Sequence, residues 1–362
     1  MRSTSSPCGK ILAQKRDLYA GGVLEITEIQ KWLGRVPRHP RQTHGINESD
    51  SEVLALGQGR YLASTIDSIV EEIAYELYQD PFTMGWMCAT ASLSDLAAVG
   101  AKPLGLLFSA HWQTDFTLAQ KKRAVQGLKA ALKAAHTPLL GGDTGQALAT
   151  HLTGVGLGTC DTRPLSRLGL KPGDVICMTG KMGLGPALGF RRLLGDPSRV
   201  LREKDYRPRA RVDEGLRLRK LSGVRCAMDS SDGLASTLNT LCRLNKVGLA
   251  LQWDERWLEP RAARYCRAMK LPLPSLLFGE HGDFQLVVGV RAEKLASVRR
   301  QVPGLYVLGK VLPERSGTTI AGADFKTREI DFNLVAGARK DSLPAITRVF
   351  QRMLKYSAAI GK

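Results

Sequence analysis

The chain has 362 residues and a mass of 39.5 kDa, enough for one large or two medium domains. Its 43% apolar and 24% charged residues are ordinary for a folded enzyme. No run approaches the roughly 18 apolar residues of a membrane span, so we expect none. The formal net charge of +18, from 52 Lys and Arg against 34 Asp and Glu, predicts attraction to anionic partners.

Basic residues are densest in the stretch RRLLGDPSRVLREKDYRPRARVDEGLRLRK, which holds one Tyr and no Phe or Trp. Without interleaved aromatics we expect no base-stacking platform, and no zinc-finger spacing or RNA-recognition consensus is present. We interpret this stretch as a solvated basic surface and do not expect a nucleic-acid partner. The seven cysteines are scattered without a C-x-x-C pair, which is typical of reduced core cysteines and predicts a cytoplasmic protein.

Residues 1–44 are polar, basic and rich in turn residues, and we expect an N-terminal arm there. The predicted strands here are EVLALG, YLASTID and, buried, PLGLLFSA. The predicted helix before PLGLLFSA is FTMGWMCATASLSDLAAVG, which ends at Gly100. The pattern of LAQKKRAVQGLKAALKAAH predicts an amphipathic helix. TPLLGGDTG predicts a strand that ends in a glycine turn, and HLTGVGLGTC predicts another strand.

The stretch LSRLGLKPGDVICMTG contains a Pro-Gly-Asp turn before a new strand, which indicates a domain boundary near residue 163. KMGLGPALGFRRLLG then predicts a helix after a glycine-rich start, VRCAMDSSDG a strand and turn, and LASTLNTLCRLN a helix. GDFQLVVGV and GLYVLGKV are predicted strands. Two such series predict an α+β fold with mixed α/β layers in two domains, at 45–162 and 163–335, before a C-terminal tail at 336–362.

The usual nucleotide and hydrolase motifs are absent. GLYVLGKV has P-loop spacing, but Val311 stands where Ser or Thr would bind the metal. GLGPALG has one residue too many for G-x-G-x-x-G, and no G-x-S-x-G elbow indicates a Ser-His-Asp hydrolase.

Carboxylates recur at the ends of apolar elements, where an unpaired charge is costly to bury. Each alone has a structural explanation: Asp232 as the cap of LASTLNTL, for example, or Asp143 as part of a glycine turn. Together they favour a metal site, because hard oxygen ligands suit Mg²⁺ carrying nucleotide phosphates. The six are Asp50, Asp67, Asp95, Asp143, Asp229 and Asp232.

Four ordered motifs, SLSDLAAVGAKPL, LLGGDTG, LSRLGLKPGDVICMTG and MDSSDGL, resemble those of thiamine-monophosphate kinase. More broadly, they resemble the superfamily of aminoimidazole ribonucleotide synthetase, selenophosphate synthetase and the hydrogenase-maturation dehydratase. The resemblance runs from about Gly45 to Phe332 and implies an ATP- and Mg²⁺-dependent phosphotransferase. It also implies a homodimer whose N-terminal sheets pair into a barrel, with ATP in the cleft between the two domains.

The resemblance assigns the metal to the six Asp residues, and makes Asp143 and Asp232 catalytic as well. It assigns ATP to Thr65, Gly142, Asp143, Thr144, Arg167 and Ser231. The planar guanidinium of Arg167 suits a phosphate group. The glycine pair at 141–142 would let the backbone approach the phosphates closely. The transfer expected is direct and in line, without a covalent enzyme intermediate.

The acceptor end departs from the family pattern. The family's G-D-D triplet is Glu48-Ser49-Asp50 here, and its His-Phe pair is Ala74-Tyr75. Gly282 stands where a substrate-contacting Glu belongs, and Gln285 replaces a second Glu. The acceptor is therefore expected to be thiamine monophosphate or another small anionic or heterocyclic compound. The residues expected near it are Tyr75, Asp283 and Phe332.

Three alternatives stay open. A cyclo-ligase or amide-activating enzyme of the superfamily would use ATP to phosphorylate a carbonyl oxygen. Cys8-Gly9-Lys10 is faintly similar to the N-terminal Cys and Lys of selenophosphate synthetase, although that enzyme has His where this chain has Asp143. The changes at Ser49 and Gly282 are those that a nucleotide-binding protein without turnover would show.

Overall fold

The computed structural model describes residues 31–74, 76–195, 199–320, 323–324 and 343–360. Two β-sheets follow one another along the chain, and helices pack against them, which confirms the predicted α+β class. Neither sheet closes into a barrel within these ranges. The domain limits at 44, 162 and 335 stay predictions.

The first sheet has five strands in the order β1-β2-β5-β3-β4. They are β1 (Glu52–Gly57), β2 (Arg60–Ser68), β3 (Lys102–Gln113), β4 (Leu139–Ala147) and β5 (His151–Cys160). The β3–β4 pair is parallel, and the other pairs are antiparallel. This half also contains α1 (Val70–Ala74), α2 (Pro81–Ala98) and α3 (Leu118–Ala134).

Helix α2 covers one face of the first sheet and is buried along almost its whole length. Asp80 caps it by accepting the Phe82 N–H at 3.0 Å, and Gly100 follows its end at φ 70°, where a residue without Cβ is favoured. The opposite face of the sheet is open. Ile66 and Leu107 both pair with Val155, and 69% and 37% of their surfaces are exposed there.

The second sheet has seven described strands in the order β12-β11-β8-β10-β6-β9-β7. They are β6 (Val175–Thr179), β7 (Val224–Asp229), β8 (Val247–Leu251), β9 (Leu286–Val290), β10 (Leu305–Pro313), β11 (Thr318–Ile320) and β12 (Ala323–Asp324). The helices are α4 (Leu184–Leu194), α5 (Val212–Arg219), α6 (Leu234–Asn245), α7 (Pro260–Ala268), α8 (Leu295–Gln301) and α9 (Leu343–Ser357).

Most predicted elements form where expected, and the exceptions have tertiary causes. The glycine turn predicted in TPLLGGDTG is wrong, because GGDTG lies inside β4. GDFQLVVGV forms a strand only from Leu286, after a loop over residues 279–285. GLYVLGKV lies in strand β10, which confirms that it is not a P-loop. The segment predicted as a tail contains α9, and its Phe350 ring contacts Phe190 at 5.3 Å between ring centroids.

The arginine-rich stretch is only partly the solvated surface that we predicted. The Arg219 side chain is 3% exposed, donates to the Gly100 carbonyl at 2.8 Å and pairs with Asp161. The Trp86 indole N–H donates to the Pro208 carbonyl at 2.7 Å. These bonds join the two halves of the molecule, so the prediction of a free basic surface is wrong at such positions.

No helix in the described part of the chain is long and apolar enough to cross a membrane. The cysteines described, all but Cys8, are free, and only Cys242 among them is more than slightly exposed. Cys8 lies outside the described residues, and the cytoplasmic location stays a prediction.

Candidate active site

Carboxylates from both halves of the molecule meet where strand β7 ends. Asp229 is the last residue of β7, Asp95 lies on α2, and Asp50 lies in the segment before β1. One carboxylate oxygen of each lies within 4.8 Å of the others. Asp67, on β2, adjoins this group closely enough for the Asp229 charge to act on it. We call Asp50, Asp67, Asp95 and Asp229 the carboxylate cluster.

Hydroxyl groups hold two of these carboxylates in place. Thr65 Oγ1 donates to Asp95 Oδ2 at 2.5 Å, and Ser94 Oγ donates to Asp229 Oδ2 at 2.6 Å. The second bond joins helix α2 of the first half to strand β7 of the second. Ser94 is not among the residues predicted from the sequence, although its place directly before Asp95 in SLSD is a usable signal.

Burial and mutual repulsion make the cluster unfavourable when fully ionised. Burial, and then the charges of Asp67 and Asp229, raise the pKa of Asp95 well above its usual range. Burial, opposed by the Arg167 charge, raises the pKa of Asp50 to about 6. Burial and the Asp229 charge raise the pKa of Asp67 to about 6. A bound cation would remove this penalty.

The donor set fits a hard divalent cation. Oδ2 of Asp50 and Oδ2 of Asp67 are buried and have no hydrogen-bond partner among the described residues. Buried polar oxygens are normally satisfied, so two such atoms in one acidic cluster indicate a missing ligand. Carboxylate and hydroxyl oxygens are what Mg²⁺ prefers, and the cluster contains no thiolate or imidazole.

Besides Thr65, two residues predicted to bind ATP border the cluster. Arg167 Nη2 donates to Asp50 Oδ1 at 2.9 Å, and Nη1 donates to the Asn47 carbonyl at 3.2 Å. Ser231 Oγ donates to Asp229 Oδ1 at 2.8 Å. Arg167 thus brings positive charge to the edge of the acidic group, where a phosphate would also need it.

Asp232 lies at the rim and does not cap the following helix. Helix α6 has Gly233 as its N-cap, without a side-chain capping bond, so the cap interpretation of Asp232 is wrong. The Asp232 residue is solvent-exposed, although much protein surrounds it. That surrounding protein, and then the Asp229 charge, raise the pKa of its carboxyl, while solvent contact limits the rise.

Asp143 and its neighbours on β4 lie apart from the cluster. Asp143 is 78% exposed on the open face, with Oδ2 3.8 Å from His111 Nε2. Thr144 Oγ1 donates to the Ala110 carbonyl at 2.9 Å. A Cβ on Gly142 would stand 1.8 Å from the Phe108 carbonyl oxygen, so contact with β3 already requires glycine there. Within one chain, none of the three joins the cluster.

Of the three predicted acceptor residues, the structure describes only Asp283. It is buried and accepts the N–H groups of Gly183 at 2.6 Å and Gly185 at 3.0 Å, at the start of α4. Burial raises the pKa of Asp283 to about 6, although these N–H groups act in the opposite direction. Asp283 therefore anchors a helix start. Tyr75 and Phe332 lie outside the described residues.

The comparisons with known proteins agree with this architecture. The family model for AIR synthase related protein, N-terminal domain, matches residues 48–160. The fold and this match define a protein of the aminoimidazole ribonucleotide synthetase superfamily. The thiamine-monophosphate kinase of Methanospirillum hungatei is 31% identical over 251 residues, which cover 69% of this chain and 82% of that enzyme. The chain belongs to the thiamine-monophosphate kinase family, a family of ATP-dependent kinases, which confirms the resemblance.

Solved structures share the fold over nearly their whole length. A protein of Thermus thermophilus superposes with a TM-score of 0.70 at 27% identity, covering 83% of this chain and 97% of that protein. AaThiL, solved in complex with AMPPCP and TMP, superposes with a TM-score of 0.71 at 22% identity, covering 90% and 98%. At that identity the likeness to AaThiL carries the fold alone.

Proposed function

We propose that this protein transfers the γ-phosphoryl group of Mg²⁺·ATP to thiamine monophosphate or another small heterocyclic alcohol or phosphate. The observation that carries the proposal is the carboxylate cluster, with its two unpartnered oxygens, Asp50 Oδ2 and Asp67 Oδ2. The relatives named as thiamine-monophosphate kinases, such as that of Methanospirillum hungatei, support the choice of nucleotide and acceptor.

Each group at the site has a role in this proposal. The carboxylate cluster and Asp232 would hold Mg²⁺, which supplies charge neutralisation to the phosphates. Ser231 and Arg167 would bind phosphate oxygens, the latter through its planar fork. Ser94 and Thr65 orient the carboxylates by the bonds described above. Fixed donors of this kind stabilise a developing charge without reorganising during the reaction.

The Asp232→Asn variant tests the assignment. We expect Mg²⁺·ATP turnover with thiamine monophosphate to fall at least a hundredfold, on the scale of losing one charge-stabilising group. The melting temperature should stay close to wild type because the residue is exposed. Asp213→Asn, an exposed change in the first turn of α5, is the matched control. Full activity of Asp232→Asn would exclude the metal role for this residue.

The products of the same assay separate the alternatives. ADP together with thiamine diphosphate supports the proposal. ADP and inorganic phosphate together with a cyclised or amidated product would support a cyclo-ligase, and a selenophosphate product the selenophosphate synthetase-like enzyme. ATP binding by calorimetry without any product would support a nucleotide-binding protein without turnover.

We further propose that the open face of the first sheet forms the dimer, pairing two sheets into a barrel. The adjacent apolar side chains of Ile66, Val155 and Leu107 on that face support this proposal, because large exposed apolar patches mark interfaces. Asp143 stands on the same face, so pairing would bring it towards the partner. Light scattering should give a dimer for wild type and a monomer for Ile66→Glu; a wild-type monomer would contradict the proposal.

A further inference from the structure

The loop at residues 279–285 contacts Ser230 and Ser231, which directly follow Asp229 of the carboxylate cluster. The Gly282 N–H donates to the Ser231 carbonyl at 2.9 Å, and the Gln285 N–H donates to Ser230 Oγ at 3.0 Å. A Cβ on Gly282 would stand 1.7 Å from the Ser230 carbonyl oxygen. No side chain fits at this position, so this backbone cannot carry the carboxylate that the family resemblance places there.

His281, the preceding residue, offers a side chain from the same loop. Its Nε2 lies 3.0 Å from Tyr78 Oη, and its ring centroid lies 5.4 Å from that of Tyr78 and 5.0 Å from that of Tyr206. Tyr206 Oη donates to the Gly282 carbonyl at 2.6 Å. Two aromatic rings and one hydrogen bond therefore fix the imidazole in a single orientation.

The imidazole belongs to the loop whose next position, 282, the family resemblance assigns to the acceptor. Tyr78 is three residues beyond position 75, in the segment to which the resemblance assigns acceptor contacts. Tyr78 and Tyr206 are 1% and 0% exposed, and the His281 ring is buried among them, although the residue as a whole is half-buried. Its Nδ1 makes no hydrogen bond to any residue in the described ranges, which leaves this ring nitrogen without a protein partner there.

The imidazole is also neutral at physiological pH, because burial lowers the pKa of His281 to about 3. When Tyr78 donates its hydroxyl hydrogen to Nε2, the remaining proton lies on Nδ1, which is then a donor. A neutral donor can hold a phosphate oxygen without cancelling the negative charge that makes the phosphate nucleophilic.

We propose that His281 binds the acceptor of this kinase, with Nδ1–H donating to an oxygen of an acceptor phosphate, and that Tyr78 is the positioning residue that fixes the imidazole. The inference rests on the proposed function, since it needs a phosphate-bearing acceptor such as thiamine monophosphate. It assigns acceptor specificity to His281, whereas the family pattern assigns it to a Glu at the position of Gly282.

Steady-state kinetics with thiamine monophosphate and Mg²⁺·ATP test the proposal. We expect His281→Ala to raise KM for thiamine monophosphate about tenfold to a hundredfold, the effect of one hydrogen bond to a charged group, with KM for ATP unchanged. His281→Gln should recover part of the loss, because its amide supplies an N–H donor. Tyr78→Phe should raise the same KM by a smaller factor. His39→Ala, an exposed histidine, is the control and should change neither KM.

The outcomes separate this inference from the proposed function. If wild type does not phosphorylate thiamine monophosphate, that acceptor and the role of His281 are both overturned. If wild type transfers phosphate and His281→Ala matches it, or raises both KM values equally, only the role of His281 is overturned. Melting temperatures of every variant show whether a folded protein is being compared, and His281→Gln carries the test if His281→Ala does not fold.

Discussion

Replacing Asp67 by Asn should stabilise the protein in the absence of metal. Burial, and then the Asp229 charge, raise the pKa of Asp67 from 3.8 to about 6. One pKa unit corresponds to about 1.4 kcal/mol, so ionised Asp67 costs the folded state up to about 3 kcal/mol relative to the unfolded chain. Since Asp67 keeps some solvent contact, we expect Asp67→Asn to raise the free energy of unfolding by about 1 to 3 kcal/mol at about pH 7.5 in EDTA.

The pH dependence gives the same prediction a second check. The folded state binds the Asp67 proton more tightly than the unfolded state, so this group's contribution to stability is lost as the pH rises from about 4 to about 6. The gain in Asp67→Asn should therefore be about a third as large near pH 4.5 as near pH 7.5, where it is complete. Urea unfolding at both pH values measures it, with the exposed change Asp115→Asn as control. A destabilised Asp67→Asn at the higher pH, or an equal gain in the control, would refute the charge argument.

Three further predictions follow from the same contacts. In differential scanning calorimetry, Mg²⁺ should raise the wild-type melting temperature and should raise that of the Asp67→Asn variant less, because a ligand has been lost. Arg167→Ala should lower the free energy of unfolding by about 3 to 5 kcal/mol in urea, since it leaves the fully buried Asp50 carboxylate unpaired. Gly142→Ala should destabilise by about 1 to 3 kcal/mol through its collision with β3, whereas Gly189→Ala, a helical glycine with open space around its Cβ, should gain about 0.5 to 1 kcal/mol.

The sequence predicts the cluster well because carboxylates are rarely placed at the ends of buried elements without a partner. Asp50, Asp67, Asp95 and Asp229 could be found in this way, and the structure brings them together. Asp143 satisfies the same pattern but lies on β4, the outermost strand of the first sheet. Strand order decides which ends are neighbours, and local sequence patterns do not contain it.

The failed predictions concern residues whose role depends on distant backbone. The sequence of the 226–235 stretch allows Asp232 to cap α6, but the chain turns at Gly233 instead. Arg219 looks solvated in a basic stretch, yet it is buried against the first half of the molecule. His281 has no pattern of its own, because Tyr78 and Tyr206, which hold it, are 203 and 75 positions away.

The contacts at the site also link nucleotide binding to the relative position of the two halves. Asp50, Asp67 and Asp95 come from the first half and Asp229 from the second, so their repulsion acts between the two halves and a cation would act against it. The Ser94–Asp229 and Tyr78–His281 hydrogen bonds also join the two halves. A cation that draws the halves together should therefore also strengthen the Tyr78–His281 contact. Because such coupling is reciprocal, an acceptor bound at His281 should tighten the binding of Mg²⁺ and nucleotide by the same factor.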